Sequence, residues 1–207
     1  MLDTRLITGI TPLLPSSASS TATSTGSSPS DTTAASTWAG VSRWKGARPV
    51  AISNGDAQYI DIIAEEAANL DVFGANVYRG ISFRDLFQEV KDKLGIPVMF
   101  TEFGSDVWNA REMREDQYMQ TYYLLGQWQE IYEQSYGKGR VGNACGGFTF
   151  QFSDGWWKYQ QEINLDIHDI HASWPNGGYQ EDYVEGENNM NEEWFGICAK
   201  GQTNARG

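Results

Sequence analysis

What this sequence lacks narrows its chemistry before any motif is read. Its 207 residues hold two cysteines, Cys145 and Cys198, with no Cys-x-x-Cys spacing, which excludes a disulfide framework and a cysteine zinc site. Both read as free thiols. No apolar run approaches the length of a spanning helix, so no membrane partner is expected. Residues 1–15 have neither the basic start nor the small-residue cleavage site of an export signal, which leaves the cytoplasm as the default compartment. Basic residues are scarce too. Fifteen Lys and Arg face 27 Asp and Glu, and a formal charge of −12 argues against nucleic-acid backbones as partners. What the chain has in quantity is aromatic surface: eight Trp and ten Tyr suit neutral, ring-shaped ligands such as sugars, and also simply fill cores.

Residues 1–47 differ from the rest. Between positions 16 and 37 the chain is mostly Ser and Thr with Ala and Gly, carries one charged residue, Asp31, and shows no apolar periodicity. Such a stretch cannot bury enough surface to offset its ordering entropy, so disorder is expected. The abrupt change at Arg48-Pro49 marks 1–47 as a non-native or truncated leader, an expectation that sequencing the source locus would test. The folded domain is expected over 48–207.

From Pro49 the pattern is regular. Residues 49–52 read as a short buried strand, followed by Ser53-Asn54-Gly55-Asp56, a polar turn whose Asp56 is placed to cap a helix. Ile60, Ile63, Ala64 and Ala67 recur at helical spacing. A second strand is expected over 71–77, with Asn76, Tyr78 and Arg79 at its end. Phe83, Leu86, Phe87, Val90 and Leu94 form the stripe of a second helix that Gly95 stops. The apolar run Val98-Met99-Phe100 predicts a strand covered on both faces, and Thr101-Glu102-Phe103-Gly104 then sets one carboxylate where that strand ends. Carboxyl ends of parallel strands are where α/β proteins keep their chemistry. A long aromatic helix over 114–136 and a strand over 146–152, with Phe148, Phe150 and Phe152 in alternation, complete the series. Residues 161–207 are acidic, with no Lys or Arg between Lys158 and Lys200, and read as a long loop pinned by Trp174, Tyr179, Tyr183, Trp194 and Phe195.

Four strands alternate with helices at βα spacing, so the fold class is α/β. A closed (β/α)₈ barrel needs eight strands, and an open doubly wound sheet calls for a Gly-rich phosphate loop after its first strand, which is absent. The reading is a partial TIM-type barrel of about four βα units, strands five to eight, with a disordered N-terminal segment.

Three motifs add a resemblance: D-V-F-G-A-N-V-Y-R-G over 71–80, P-V-M-F-T-E-F-G over 97–104, and G-G-F-T-F-Q-F-S-D-G-W-W-K over 146–158, with E-G-E-N-N-M-N-E-E-W-F-G at 185–196. In this order, residues from about 49 to 200 resemble the C-terminal half of the catalytic barrel of retaining glycoside hydrolases of the large barrel clan. The nearest likeness is to glycoside hydrolase family two, the β-galactosidase, β-glucuronidase and β-mannosidase group. The resemblance implies that Glu102 matches the catalytic nucleophile. It also implies that Tyr78 matches an aromatic hydroxyl that orients it, and that Trp156 or Trp157 forms the floor of a sugar site. Asn76, Arg79, Asn54 and Asp154 sit at strand ends within reach of sugar hydroxyls, where turn roles are the alternative. No cofactor and no metal are implied. Retaining chemistry needs a second carboxyl roughly 5 Å from the first.

The departures matter as much. The clan's acid/base lies in an Asn-Glu pair that would have to precede Pro49, yet no Glu occurs before Glu65, and the acids upstream of Pro49 are Asp3 and Asp31. The N-terminal half-barrel, the sandwich domains and the last barrel helix have no counterpart here. A half-barrel exposes strand edges, which predicts a homo-oligomer through those edges, with Asp56, Asp106, Asp154 or Glu162 as candidates for the second carboxylate. Two other readings stay open. One is a non-catalytic carbohydrate-binding or inert fragment. The other is a metal-dependent hydrolase using His168 and His171 of Asp166-Ile167-His168-Asp169-Ile170-His171. Calcium in the acidic stretch 181–193 is a further possibility beside plain solvation.

Overall fold

The computed structural model describes residues 48–159 and 170–199. The proposed leader, and with it Asp3 and Asp31, lies outside the described residues, as do Glu162, Asp166, His168 and Asp169. In chain order the elements are β1 (Ala51–Gly55), α1 (Ile60–Glu66), β2 (Val72–Asn76), α2 (Leu86–Lys93), β3 (Val98–Phe103), β4 (Trp108–Asn109), β5 (Arg114–Glu115), α3 (Gln117–Glu133) and β6 (Ala144–Thr149). Short 3-10 turns follow at Trp156–Tyr159 and Glu192–Trp194.

β1, β2, β3 and β6 form one all-parallel sheet in the order β1-β2-β3-β6. Spatial order follows chain order, so the winding does not reverse as it does in a doubly wound sheet. Alternation along the strands sends Phe73, Ala75, Val98 and Phe100 to one face, where they meet Ile60 and Ile63 of α1, Leu86, Phe87 and Val90 of α2, and Ile131 of α3. Phe83, Phe87, Phe100 and Phe103 interlock there, the Phe83 and Phe100 rings 4.0 Å apart. The opposite face carries Ser53, Gly74, Asn76, Met99 and Thr101 and stays partly open. Gly74 has a steric reason: a Cβ there would run into the carbonyl of Ile52.

Several sequence expectations shift. The first strand begins at Ala51 and is not buried, because it is an edge strand paired only with β2. Asp56 does not cap α1, whose N-cap is Tyr59 with no side-chain bond; Asp56 turns instead to Arg79. The long helix begins after Asp116, whose carboxylate accepts from the Met119 amide at 3.0 Å and fixes its first turn. β6 stops at Thr149, since the chain beyond it pairs with the last segment: Gln151 N donates to Phe195 O and Cys198 N to Phe152 O. The β4–β5 pair was not expected, two residues a side being too short for any period to show.

A second buried region joins 104–115 to 170–199. Tyr179, Met190 and Phe195 pack with Met119 and Tyr123 of α3. The Tyr179 hydroxyl donates to Gly104 O at 2.6 Å, and Gln127 of α3 donates to Gly80 O at 2.8 Å and Gly104 O at 3.2 Å. Asn189 acts as a four-way pin: it accepts from Asn176 N at 2.6 Å and donates towards Asn176 O, Tyr179 O and Asp182 Oδ1. Gly80, with φ of +92°, lies so close to Gly178 that any Cβ would collide with its backbone. Among the described residues no helix is long and apolar enough to cross a membrane.

Candidate active site

Glu102 owes its position to a fault in the sheet. Phe73 pairs with Val98, Gly74 with Met99 and Ala75 with Phe100, but Asn76 pairs with Glu102, so Thr101 is the extra residue of a bulge. Strict alternation would turn Glu102 into the phenylalanine core and Phe103 out of it. The bulge reverses both. Phe103 is fully buried against Phe83 and Phe100, and Glu102 is half-buried beside Asn76 at the carboxyl end of the sheet.

Tyr78, two residues past the end of β2's partner position Asn76, donates from its hydroxyl to Glu102 Oε2 at 3.1 Å. Burial raises the Tyr78 pKa well above the ordinary phenol range, and the nearby Glu102 carboxylate raises it further. The phenol therefore keeps its proton and stays the donor. Its ring is boxed edge-on by Phe195 at 5.6 Å and Trp174 at 6.3 Å, and Asn176 holds its backbone carbonyl at 2.9 Å. Beside Glu102, Thr101 Oγ1 donates to Asn76 Oδ1 at 2.6 Å, and Ser53 Oγ lies 2.9 Å from Thr101 Oγ1. Asn76 thus spends its carbonyl on orienting the bulge.

The other sequence candidates fall into distinct environments. Arg79 forms a two-pronged pair with Asp56, Nη2 to Oδ1 at 2.6 Å and Nε to Oδ2 at 2.8 Å, and a third bond to Asp85. The bonds to Asp56 raise its pKa, and the guanidinium stitches the β1, β2 and α2 ends together. Asn54 donates to Asp56 O at 3.0 Å within the turn. Asp154 is fully buried and accepts from Gly196 N at 3.0 Å, where Gly196 has no room for a Cβ. Trp157 is exposed on the turn after β6, and Trp156 is described in its backbone alone. Asp106 lies in the second buried region, accepting from Asn191 N at 2.6 Å; burial raises its pKa well above the carboxylate range, with Asp182 adding to the shift. His171 is exposed, and among the described residues no three His, Cys, Asp or Glu side chains gather as metal ligands.

One group escaped the sequence reading. Glu192 is near enough to Tyr78 to raise its pKa electrostatically. Its carboxylate is held on one side by the Trp174 indole at 3.1 Å and on the other by Lys158 Nζ at 3.0 Å. The motif over 185–196 was visible, but nothing in its spacing singles out Glu192 from Glu185, Glu187 and Glu193. Contacts 18 and 34 positions away along the chain select it.

No known family's sequence profile matches the chain. No curated protein matches it either. Solved structures with partial similarity include a GH2 beta-galacturonidase from Eisenbergiella tayi bound to glycerol, with a TM-score of 0.37 and 20% identity over 53% of this chain and 22% of that one. The galacturonate-bound form gives 0.40 and 17% over 73% of this chain and 24% of that one. The chain spans about a quarter of the length of those proteins.

Proposed function

We propose that the chain is the C-terminal half of a TIM-type glycoside hydrolase barrel, and that Glu102 is the nucleophile of a retaining reaction on β-linked sugars. The observation that supports it best is the Tyr78 hydroxyl bonded to Glu102 Oε2 at 3.1 Å, at the carboxyl end of a parallel sheet and beside Trp174. A retaining glycosidase needs a carboxylate fixed in direction, so that one oxygen attacks the anomeric carbon as the leaving oxygen departs; a glycosyl-enzyme ester forms and water later cleaves it. Tyr78 fixes that direction. Trp174 beside Tyr78 supplies aromatic surface for a pyranose, with Glu192 bonded to its indole.

Among the described acids expected to serve as the partner, Asp56, Asp106 and Asp154 each hold bonds elsewhere. Among the described residues Glu192 is a further candidate, itself bonded to Trp174 and Lys158. That same commitment favours a second reading, carbohydrate binding without turnover.

A panel of nitrophenyl β-glycosides and the matching 2-deoxy-2-fluoro glycosides tests both. Under the catalytic reading, nitrophenol is released and Glu102→Gln lowers the rate by orders of magnitude. The fluoro sugar then adds one glycosyl mass to the peptide containing Glu102. Tyr78→Phe lowers turnover about tenfold, as expected for losing a bond worth ~1.4 kcal/mol. A folded, silent protein that still binds the sugars with Glu102→Gln unchanged overturns the nucleophile and leaves the binding module.

A further inference from the structure

The outer face of α3 carries a stripe with no chemistry assigned to it. Tyr118 is 82% exposed, Leu125 65%, Tyr132 48%, Tyr122 45% and Trp128 37%. The inward face is made by Met119, Tyr123, Gln127 and Ile131. At 100° per residue, Tyr118 and Tyr132 lie about 20° to either side of Leu125, and Tyr122 and Trp128 about 60° to either side. From Gln117 to Ile131 the sole charged residue is Glu130, and it is turned away to Ser82 and the Phe83 amide. An uncharged aromatic stripe of this length is not what a solvated helix face needs.

The order along the stripe reads the same in both directions. Tyr-x₃-Tyr-x₂-Leu-x₂-Trp-x₃-Tyr is symmetric about Leu125, with aromatic matched to aromatic at seven and at three residues on either side. An isologous two-fold contact between antiparallel helices sets each residue against its mirror position on the partner, so here aromatic meets aromatic on either side of Leu125. We propose that the occupant of this face is a second copy of the chain, packed through α3 about a two-fold axis at Leu125. Leu125 then meets Leu125, Tyr118 meets Tyr132 and Tyr122 meets Trp128. Within α3 the same register sets Thr121 opposite Gln129 and Gln117 opposite Glu133, with no like charges facing. The five side chains expose on the order of 600 Å², close to the ~800 Å² per partner of an ordinary stable interface.

A sugar chain fits this stripe less well. Trp128 has its indole N–H engaged by Thr149 and its ring against Phe103, so that donor is not available to a sugar hydroxyl. The centre of the stripe is a leucine, which offers no flat face. The proposal is independent of any chemistry at Glu102.

Analytical ultracentrifugation of the full chain, with circular dichroism as the folding control, tests it. The expected result is a dimer, weakened at least tenfold by Leu125→Glu at an exposed position that leaves the spectrum unchanged. Cross-linking then fixes the register in a Cys145→Ser, Cys198→Ser background. Leu125→Cys joins to itself on oxidation, and Tyr118→Cys joins to Tyr132→Cys but not to itself. A monomer at every concentration overturns the proposal. So does a dimer indifferent to Leu125→Glu, which assigns assembly to the β1 and β6 edges, or a dimer lacking the 118 to 132 link. Leu125→Glu that abolishes polysaccharide binding without changing mass overturns it in favour of a sugar platform.

Discussion

Beneath the helices, Phe83, Phe87, Phe100 and Phe103 pack ring against ring with no polar side chain among them, whereas beneath the 170–199 segment Asp106, Asp182, Asn189 and Asn191 are just as dry. The first core is held by burial alone and is indifferent to direction. The second packs Tyr179, Met190 and Phe195 as well, and adds hydrogen bonds such as those of Asn189 and Asp106, each requiring a particular partner at a particular angle. Glu102 and Tyr78 lie where the two meet: the sheet supplies the strand that carries the carboxylate, and the polar core positions the segment that boxes the tyrosine. The difference teaches that position at this site comes from the apolar core and orientation from the polar one.

The sharpest way to break the comparison is to cut each core once. Phe100→Ala removes the ring that touches Phe83, Phe87 and Phe103 and leaves a cavity, with an expected loss of about 3–5 kcal/mol in urea unfolding. Its hydrogen-exchange protection should fall across β2, β3 and α2 together. Asn189→Ala abandons Asn176, Tyr179 and Asp182 at once, and should cost on the order of 2–3 kcal/mol. Here the faster exchange should be confined to 104–115 and 170–199. Global loss in both variants would show one cooperative unit rather than two.

The smallest expected effect separates them by pH. Burial raises the Asp106 pKa, so the folded state binds its proton more tightly than the unfolded chain does. Stability from this group is full below the unfolded pKa, near 4, and declines as pH rises towards the folded value. Asp106→Asn can still accept from the Asn191 amide and never ionises. Its urea midpoint should equal or exceed that of the native chain at neutral pH, with a flatter slope above pH 4; the residual slope belongs to Asp182, also raised by burial. Phe100→Ala should leave the slope as it is. A destabilised Asp106→Asn at neutral pH would mean that the carboxylate itself is needed there.

Much of the apolar core was legible because it repeats locally. Leu86, Phe87, Val90 and Leu94 declare α2 by spacing, and Ile60 and Ile63 declare α1 in the same way. Glu102 was legible as an acid ending an apolar run, and Tyr78 as its neighbour by resemblance. Arg79 was legible as a strand-end cation, but its hold on Asp56, 23 positions away, was not. Glu192 was lost among similar acids. The bulge at Thr101 left no mark at all, since T-E-F reads equally well as a regular strand end.

By itself, then, the sequence determined the α/β class, the order of the strands' apolar segments, the two helix stripes packed beneath the sheet and the placing of one carboxylate at a strand end. All of these rest on periodicity within a dozen residues, where burial acts on neighbours along the chain. Only the tertiary structure decided which way Glu102 faces, which acids Arg79 engages, which base Glu192 engages, and which face of α3 is left open. Those depend on bonds and packing between segments tens of positions apart, and a hydrogen bond leaves no periodic trace in the sequence of either partner.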